Sequence, residues 1–398
     1  MKAKVVCGSD HHGRWLTRSL ALLLLGMATP LVTSDPAAAA SCYSRPVPAA
    51  RATGAHWALR WLDPDRLRQV STGSGVRVAV LDSGVDASHP QLAKAVDRGW
   101  DVVLDEADGR TDCVGHGTAV ASLIAARPDG DAALVGVAPA ARIVPIRVSE
   151  DGSGATSYRD VTPARLAAGI RRAVALDADV IQVSFAVGSN TAALRDAVAD
   201  AAKRQIVVVA AVGDKTAGAT YPAAYPGVVG VGAAESSGHR WTDSGSGPHV
   251  DLVAPGVELV AAARIRGHVA VGGTAAAAAM VSGAAALLKA RHPKWTATQI
   301  TNRLLATADG TPGGSRNDGY GYGGVNPYRA LTESAETPGR TPEPHPVPAA
   351  ALNPTRRPGL STTTRRALGA GASGAGARVV GGGYAGAAAF GRRRRARA

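Results

Sequence analysis

Residues 76–86 read VRVAVLDSGVD, an apolar run that ends at an aspartate, a serine and a glycine. A run that is continuously apolar rather than alternating is typical of a strand buried on both faces, as in a parallel sheet. Similar runs recur between longer amphipathic stretches from Gly75 to about Leu331. This alternation predicts an α/β fold with a mostly parallel central sheet flanked by helices.

The periodicity assigns the individual elements of this sheet and its helices. The predicted strands are Val76–Leu81, Arg142–Val148, Val180–Ser184, Ile206–Ala211, Val228–Val231 and Val250–Val253. The predicted helices are Thr118–Ala126, Pro163–Leu176, Thr191–Lys203, Thr274–Arg291 and Thr296–Ala306.

The first forty residues have the pattern of an export signal. Basic residues precede the apolar run Leu20–Leu25, and Ala38–Ala40 supplies small residues for cleavage. We expect residues 1–40 to be removed and the mature chain to start near Ser41. The alternative is a buried N-terminal helix, which the short run and Pro30 disfavour. Export implies an oxidising compartment.

Cysteine usage fits export. Cys7 falls inside the predicted signal, so that only Cys42 and Cys113 remain in the mature chain. Two cysteines in an exported protein predict one disulfide, and two unpaired thiols are the alternative. The bond would close a loop of about seventy residues and contribute ~4 kcal/mol. It would tie an N-terminal extension, residues 41–74, to the domain predicted over residues 75–333.

Residues 334–398 differ in composition from this domain. Residues 334–366 are rich in proline and predict an extended linker. Residues 367–391 are mostly glycine and alanine with a single arginine. This composition fits two alternatives, a degenerate membrane span or a disordered Gly/Ala tail. Residues 392–398 form a basic tail, which holds five of the arginines behind the net charge of +13. Basic residues are not interleaved with aromatic ones, so we expect no nucleic-acid partner.

Two motifs in chain order carry candidate chemistry. Asp82 directly follows the first predicted strand and lies within DSG, and His116 lies within DCVGHGT at residues 112–118. A carboxylate at the end of a buried strand can fix the tautomer of a histidine and stabilise its charged form. Glycines beside His116 allow a close turn before a helix that holds the imidazole. Without an attacking group, the same two residues would be only a buried ion pair.

Together these segments resemble the first two active-site motifs of the subtilases, serine peptidases whose catalytic residues occur in the order Asp, His, Ser. The resemblance implies a subtilisin-like fold of three layers, with Asp82 and His116 as catalytic residues. The third motif of that family, Gly-Thr-Ser-x-Ala-x-Pro, here reads GTAAAAA from Gly273 to Ala279. The flanking residues fix the alignment, so that Ala275 occupies the position of the nucleophilic serine.

The oxyanion position departs from the family pattern as well. Subtilases place an asparagine after a buried strand, whereas this chain has Asp214 after AAVG at residues 210–213. A negative charge there would oppose the charge that develops on a tetrahedral intermediate. Gln182 also replaces a usual asparagine. Thr274 and Ser282 are the neighbouring hydroxyls. Helix geometry directs the Thr274 side chain away from the imidazole and places Ser282 about two turns, roughly 10 Å, further along the helix.

Within the subtilases, the chain resembles the mycosins. The features are WALRW at 57–61, a cysteine beside the histidine, and a closing GYGYGGVNPYRAL at 319–331 before a proline-rich linker. The resemblance implies a domain on the outer face of the cytoplasmic membrane, associated with a type VII secretion complex. It is anchored if residues 367–391 insert and secreted otherwise.

Three functional hypotheses follow, none with a cofactor or a metal. The first is a catalytically dead serine endopeptidase homologue with a structural or docking role. The second is an active or weakly active endopeptidase that uses another nucleophile. The third is a module that binds extended peptides by strand addition beside Asp82, His116 and Asp214.

Overall fold

A computed structural model of the chain describes residues 49–53, 57–150, 161–216 and 218–334. The helices among them are α1 (Trp57–Leu62), α2 (Pro64–Val70), α3 (His116–Ala125), α4 (Pro163–Ala175), α5 (Ala192–Lys203), α6 (Thr274–Arg291), α7 (Ala297–Ala306) and α8 (Pro327–Thr332). The strands are β1 (Arg77–Asp82), β2 (Trp100–Asp101), β3 (Arg142–Arg147), β4 (Val180–Val183), β5 (Val207–Ala211), β6 (Val228–Ala234), β7 (Leu252–Pro255), β8 (Leu259–Ala262) and β9 (His268–Val271).

Seven strands form one sheet in the order β2-β3-β1-β4-β5-β6-β7, and all of its pairs are parallel. β1 lies in the middle, and the carboxyl ends of parallel strands meet at one edge. Loops after β1, β4 and β5 therefore approach one another there. β8 and β9 form a separate antiparallel hairpin that precedes α6.

Each face of the sheet carries a hydrophobic core, so the fold has three layers. Val78 and Val80 of β1 belong to the core with α3 and α6, whereas Ala79 and Leu81 belong to the core with α4 and α5. Successive strand residues point to opposite faces, which is why a continuously apolar run suits this position. The predicted α/β three-layer fold is confirmed.

α6 is the central helix of the structure. Its residues 274–288 are all buried, and alanine and glycine let neighbouring elements approach closely. A methyl group added at Gly283 would lie 2.6 Å from Val137 Cβ. A helix that is apolar all round belongs in a core rather than on a surface.

The N-terminal helices pack into the same core as α6. Leu62 and Leu67 are buried there. The Trp57 Nε1–H donates to Val257 O at 3.0 Å and the Trp61 Nε1–H to Val325 O at 3.1 Å. The predicted extension thus joins both the hairpin region and the segment before α8.

The predicted signal, linker, candidate span and basic tail lie outside the described residues, apart from position 334. In the described ranges, no helix is both long and apolar enough to cross a membrane.

Candidate active site

Asp82 and His116 are brought together at the carboxyl edge of the sheet. Asp82 is the last residue of β1 and His116 the first of α3. The His116 Nδ1–H donates to the Asp82 carboxylate, at 2.8 Å to Oδ1 and 3.0 Å to Oδ2. The aspartate side chain is fully buried and the histidine side chain 22% exposed. The ring is thus oriented by a buried carboxylate and keeps access to the solvent.

The glycine after the histidine permits this approach. A methyl group at Gly117 would lie 2.0 Å from Gly84 O and 2.9 Å from Asp82 Cβ. Any larger residue would push the start of α3 away from the end of β1. The glycine of the HGT motif is therefore a packing requirement of the Asp82–His116 contact.

Asp112 builds the turn that carries His116, a role that its neighbours in the sequence do not indicate. Its buried carboxylate accepts five hydrogen bonds. Oδ1 accepts from Ser83 Oγ at 2.9 Å, Val114 N at 3.0 Å and Gly115 N at 2.7 Å. Oδ2 accepts from Thr118 N at 2.9 Å and Thr118 Oγ1 at 2.6 Å. A carboxylate at this helix N-terminus satisfies amides that the N-cap residue, a glycine, leaves without a side-chain partner.

The surroundings of His116 favour its charged form. Burial is the largest single influence and lowers the pKa of the imidazole. The charge and hydrogen bond of Asp82, with the charges of Asp112 and Asp214, outweigh it and raise the pKa above its ordinary value. A raised pKa keeps an imidazolium between carboxylates over a wider pH range, whereas a general base must be neutral.

Ala275 lies in the first turn of α6. The residue is 5% exposed. Gln182 Nε2–H donates to Ser184 Oγ at 3.2 Å and reaches Ala275 O at 3.5 Å. The Ser184 hydroxyl in turn donates to Asp82 Oδ2. Two polar side chains thus connect the aspartate to the helix start where the sequence analysis expects a nucleophile.

Asp214 turns one carboxylate oxygen toward the backbone of α6. Its Oδ1 accepts from Thr274 N at 2.9 Å and Thr274 Oγ1 at 2.8 Å. Burial raises the pKa of this carboxyl above its ordinary value, and the Thr274 bonds and the charge of His116 offset only part of the rise. Asp214 thus accepts hydrogen bonds at the helix start, where an asparagine amide could donate one.

The other hydroxyls near the helix start are not accessible. The Thr274 hydroxyl is held between Asp214 and Gly213 N, which donates to it at 3.1 Å, and the residue is 2% exposed. Ser282 is fully buried. Neither can meet a peptide from the solvent.

Two further expectations concern cysteine and metals. Cys113 lies in the turn before His116, while Cys42 lies outside the described residues, so the Cys42–Cys113 disulfide stays a prediction. In the part of the chain that the structure describes, no group of three or more His, Cys, Asp or Glu side chains is arranged to hold a metal ion.

Comparison with known proteins gives consistent matches. The model of the Subtilase family matches residues 73–323. Subtilisin E of Bacillus subtilis (strain 168) is 39% identical over 243 residues, which span 60% of this chain and 61% of that protein. The chain therefore matches less than two thirds of the length of this relative.

Solved structures of similar fold include two MycP proteins. MycP3 protease from the type VII (ESX-3) secretion system aligns with a TM-score of 0.63 and 30% identity, covering 72% of this chain and 94% of that one. MycP1 from Mycobacterium smegmatis aligns with a TM-score of 0.64 and 29% identity, covering 77% and 93%.

Proposed function

The chain belongs to the subtilase family and is related to the mycosin proteases of type VII secretion, and from that premise we propose that it is a pseudoprotease. The proposal rests on one observation. The aspartate and histidine of the site are assembled at 2.8 Å, but the helix start beside them presents the methyl group of Ala275 instead of a hydroxyl.

Magnitudes support an inactive site. Loss of the serine from such a triad costs about 10⁶-fold in turnover, and loss of an oxyanion donor about 10²- to 10³-fold, although the two effects are not additive. Both groups are replaced here, by Ala275 and Asp214.

An unexpected nucleophile is not supported. A nucleophile must lie within hydrogen-bond reach of its base and of the substrate. The Thr274 hydroxyl does contact a carboxylate, that of Asp214, but its burial separates it from any peptide. Ser282 is buried along the same helix.

The proposed role is structural or docking, at the outer face of the membrane and in association with a type VII secretion complex. Support comes from the likeness to MycP1 and MycP3 and from the predicted export signal. Membrane anchoring would depend on residues 367–391. The Asp82–His116 pair then serves as an ion pair that fixes the start of α3.

Labelling with a fluorophosphonate probe tests the proposal, because the probe reacts with a serine activated by a neighbouring base. We expect no label on the natural chain and a label on Ala275→Ser that disappears in Ala275→Ser, His116→Ala. A label on the natural chain that His116→Ala abolishes would overturn the proposal in favour of an alternative nucleophile.

A further inference from the structure

Residues 49–53, called the strap below, lie against two other parts of the chain. Ala49 N donates to Arg266 O at 3.2 Å, and His268 N donates to Ala50 O at 3.0 Å. On the other side, Ala133 N donates to Ala52 O at 2.9 Å. The strap thus bridges the β8–β9 hairpin and the segment 129–133.

His268 is the side chain that fastens the strap. It is 4% exposed, and both of its ring nitrogens make hydrogen bonds. Nδ1 accepts from Ala52 N at 2.8 Å, and Nε2 lies 2.8 Å from Gln91 Oε1. The Gln91 amide is fixed because its Nε2–H donates to Arg127 O and Leu134 O. The ring must therefore be neutral, with its proton on Nε2 and an acceptor lone pair on Nδ1.

Few charges surround this ring. The His89 ring lies beside it, with ring centroids 6.2 Å apart, and the nitrogens of His89 meet Gly267 O at 3.0 Å and Gln91 N at 3.2 Å. Arg51 of the strap disfavours a charge on His268 and Asp129 favours one, but these two pair with each other at 3.0 Å. No carboxylate is hydrogen-bonded to His268 in the described structure, in contrast to His116 and Asp82.

We propose that His268 is a proton-sensitive latch, in which a proton taken up at Nδ1 turns the acceptor of the Ala52 N–H into a second donor and releases the strap. Two N–H groups would then face each other at hydrogen-bond distance in a buried site. Among the described residues, the hydrogen bonds between the strap and the hairpin are two backbone bonds and the one to this ring. None of them belongs to the seven-stranded sheet, so the strap can separate from the hairpin without unfolding of that sheet.

The pH range follows from linkage. Burial is the main cause that lowers the pKa of His268 from 6.5 to about 4, and His89 and Arg51 add to it. A histidine released to solvent regains the ordinary value. The closed strap is therefore fully favoured above pH 6.5, and its stability relative to the released strap falls as the pH falls toward 4. The difference between the two pKa values corresponds to a decrease of about 300-fold in the equilibrium constant for strap closure.

Release of the strap would affect the candidate active site through the β8–β9 hairpin. Ile265, between β8 and β9, donates its N–H to Asp86 Oδ2 at 2.7 Å, and the Arg264 guanidinium donates to Cys113 O. β9 leads directly into Gly273 and the start of α6. The strap thus supports one edge of a hairpin whose other contacts border His116 and Ala275.

Hydrogen–deuterium exchange of the full chain tests the latch, with rates corrected for the intrinsic pH dependence. In peptides covering 49–53 and 129–134, protection should fall about tenfold per pH unit below 6.5, while peptides from α6 stay protected. His268→Asn, whose amide oxygen accepts a hydrogen bond but takes up no proton, should remove the pH dependence. His239→Asn, a histidine outside the strap contacts, should retain it.

Two results would overturn the latch. The first is strap protection that does not change between pH 7 and pH 4 in the natural chain. The second is a strap protection in His268→Asn that falls with pH as it does in the natural chain, which would assign the proton to another group such as His89. If His268→Asn does not fold, NMR titration of His268 in the natural chain decides, and a ring that titrates near 6.5 with the strap closed contradicts the latch.

Discussion

Replacement of Asp82 by asparagine tests whether the Asp82–His116 contact is an ion pair that stabilises the fold. The carboxylate accepts from Ser83 N at 2.7 Å, from His116 Nδ1 at 2.8 Å and from the Ser184 hydroxyl. An asparagine preserves the shape and one acceptor oxygen, but it removes the charge opposite the imidazolium. Hydrogen bonds to charged groups contribute ~1.5–3 kcal/mol each, so we expect a loss of about 2–3 kcal/mol in the free energy of unfolding near pH 6.

The loss should depend on pH in a defined direction. The pKa of His116 is raised in the folded chain. The contribution of the ion pair to the free energy of unfolding is therefore complete below pH 6.5 and is lost as the pH rises through the pKa of the folded state. Asp82→Asn should therefore destabilise the chain more at pH 6 than at pH 9, because the charged form of the ring is less favoured at the higher pH.

Urea unfolding at the two pH values measures this difference. Asp179→Asn is a matched control, because Asp179 accepts from Arg77 N at 2.9 Å and has no histidine partner among the described hydrogen bonds. The decrease in the free energy of unfolding caused by Asp179→Asn should be similar at pH 6 and pH 9. An equal loss at both pH values for Asp82→Asn would refute the assignment of an ion pair.

Two further substitutions and one labelling experiment test other parts of the structure. Asp112→Ala removes the acceptor of five hydrogen bonds and should lower the free energy of unfolding by ~3 kcal/mol or more, measured by urea denaturation; a loss below about 1 kcal/mol would contradict its role. Gly267→Ala combines a φ of +79° with a methyl group 1.8 Å from Ala49 O, so it should raise hydrogen exchange in the strap at neutral pH, and unchanged exchange would count against the strap contacts. Cys42 and Cys113 should react with a thiol reagent under denaturing conditions only after reduction, and labelling without reduction would exclude the disulfide.

The sequence predicts the parts of the fold whose signal is local. All six predicted strands and all five predicted helices are present, with ends that differ by up to three residues. The continuous apolar runs explain this success, because burial on both faces requires them. The short elements β2, α1, α2 and α8 were not assigned. The β8–β9 hairpin was missed too, because polar residues such as Arg264 and His268 interrupt its apolar pattern.

The site was predictable only where a motif marks it. Asp82 and His116 are assembled as predicted, because their glycine-flanked motifs encode a close approach. The role of Asp112 depends on contacts with Ser83 and Thr118 that its own neighbours do not reveal. A carboxylate four residues before the histidine with a hydroxyl two residues after it is the signal that could have found it. His268 contacts Ala52 across 216 residues of sequence, a separation at which no local pattern carries information.

Peptide-bond cleavage by the natural chain, compared with an Ala275→Ser, Asp214→Asn double variant, decides whether the protein is a pseudoprotease. We expect the natural chain to be inert and the double variant to cleave, since the Asp82–His116 pair is already in place and the two substitutions supply the nucleophile and the oxyanion donor. Cleavage by the natural chain that His116→Ala abolishes would show an active protease and require a nucleophile other than the residue at position 275.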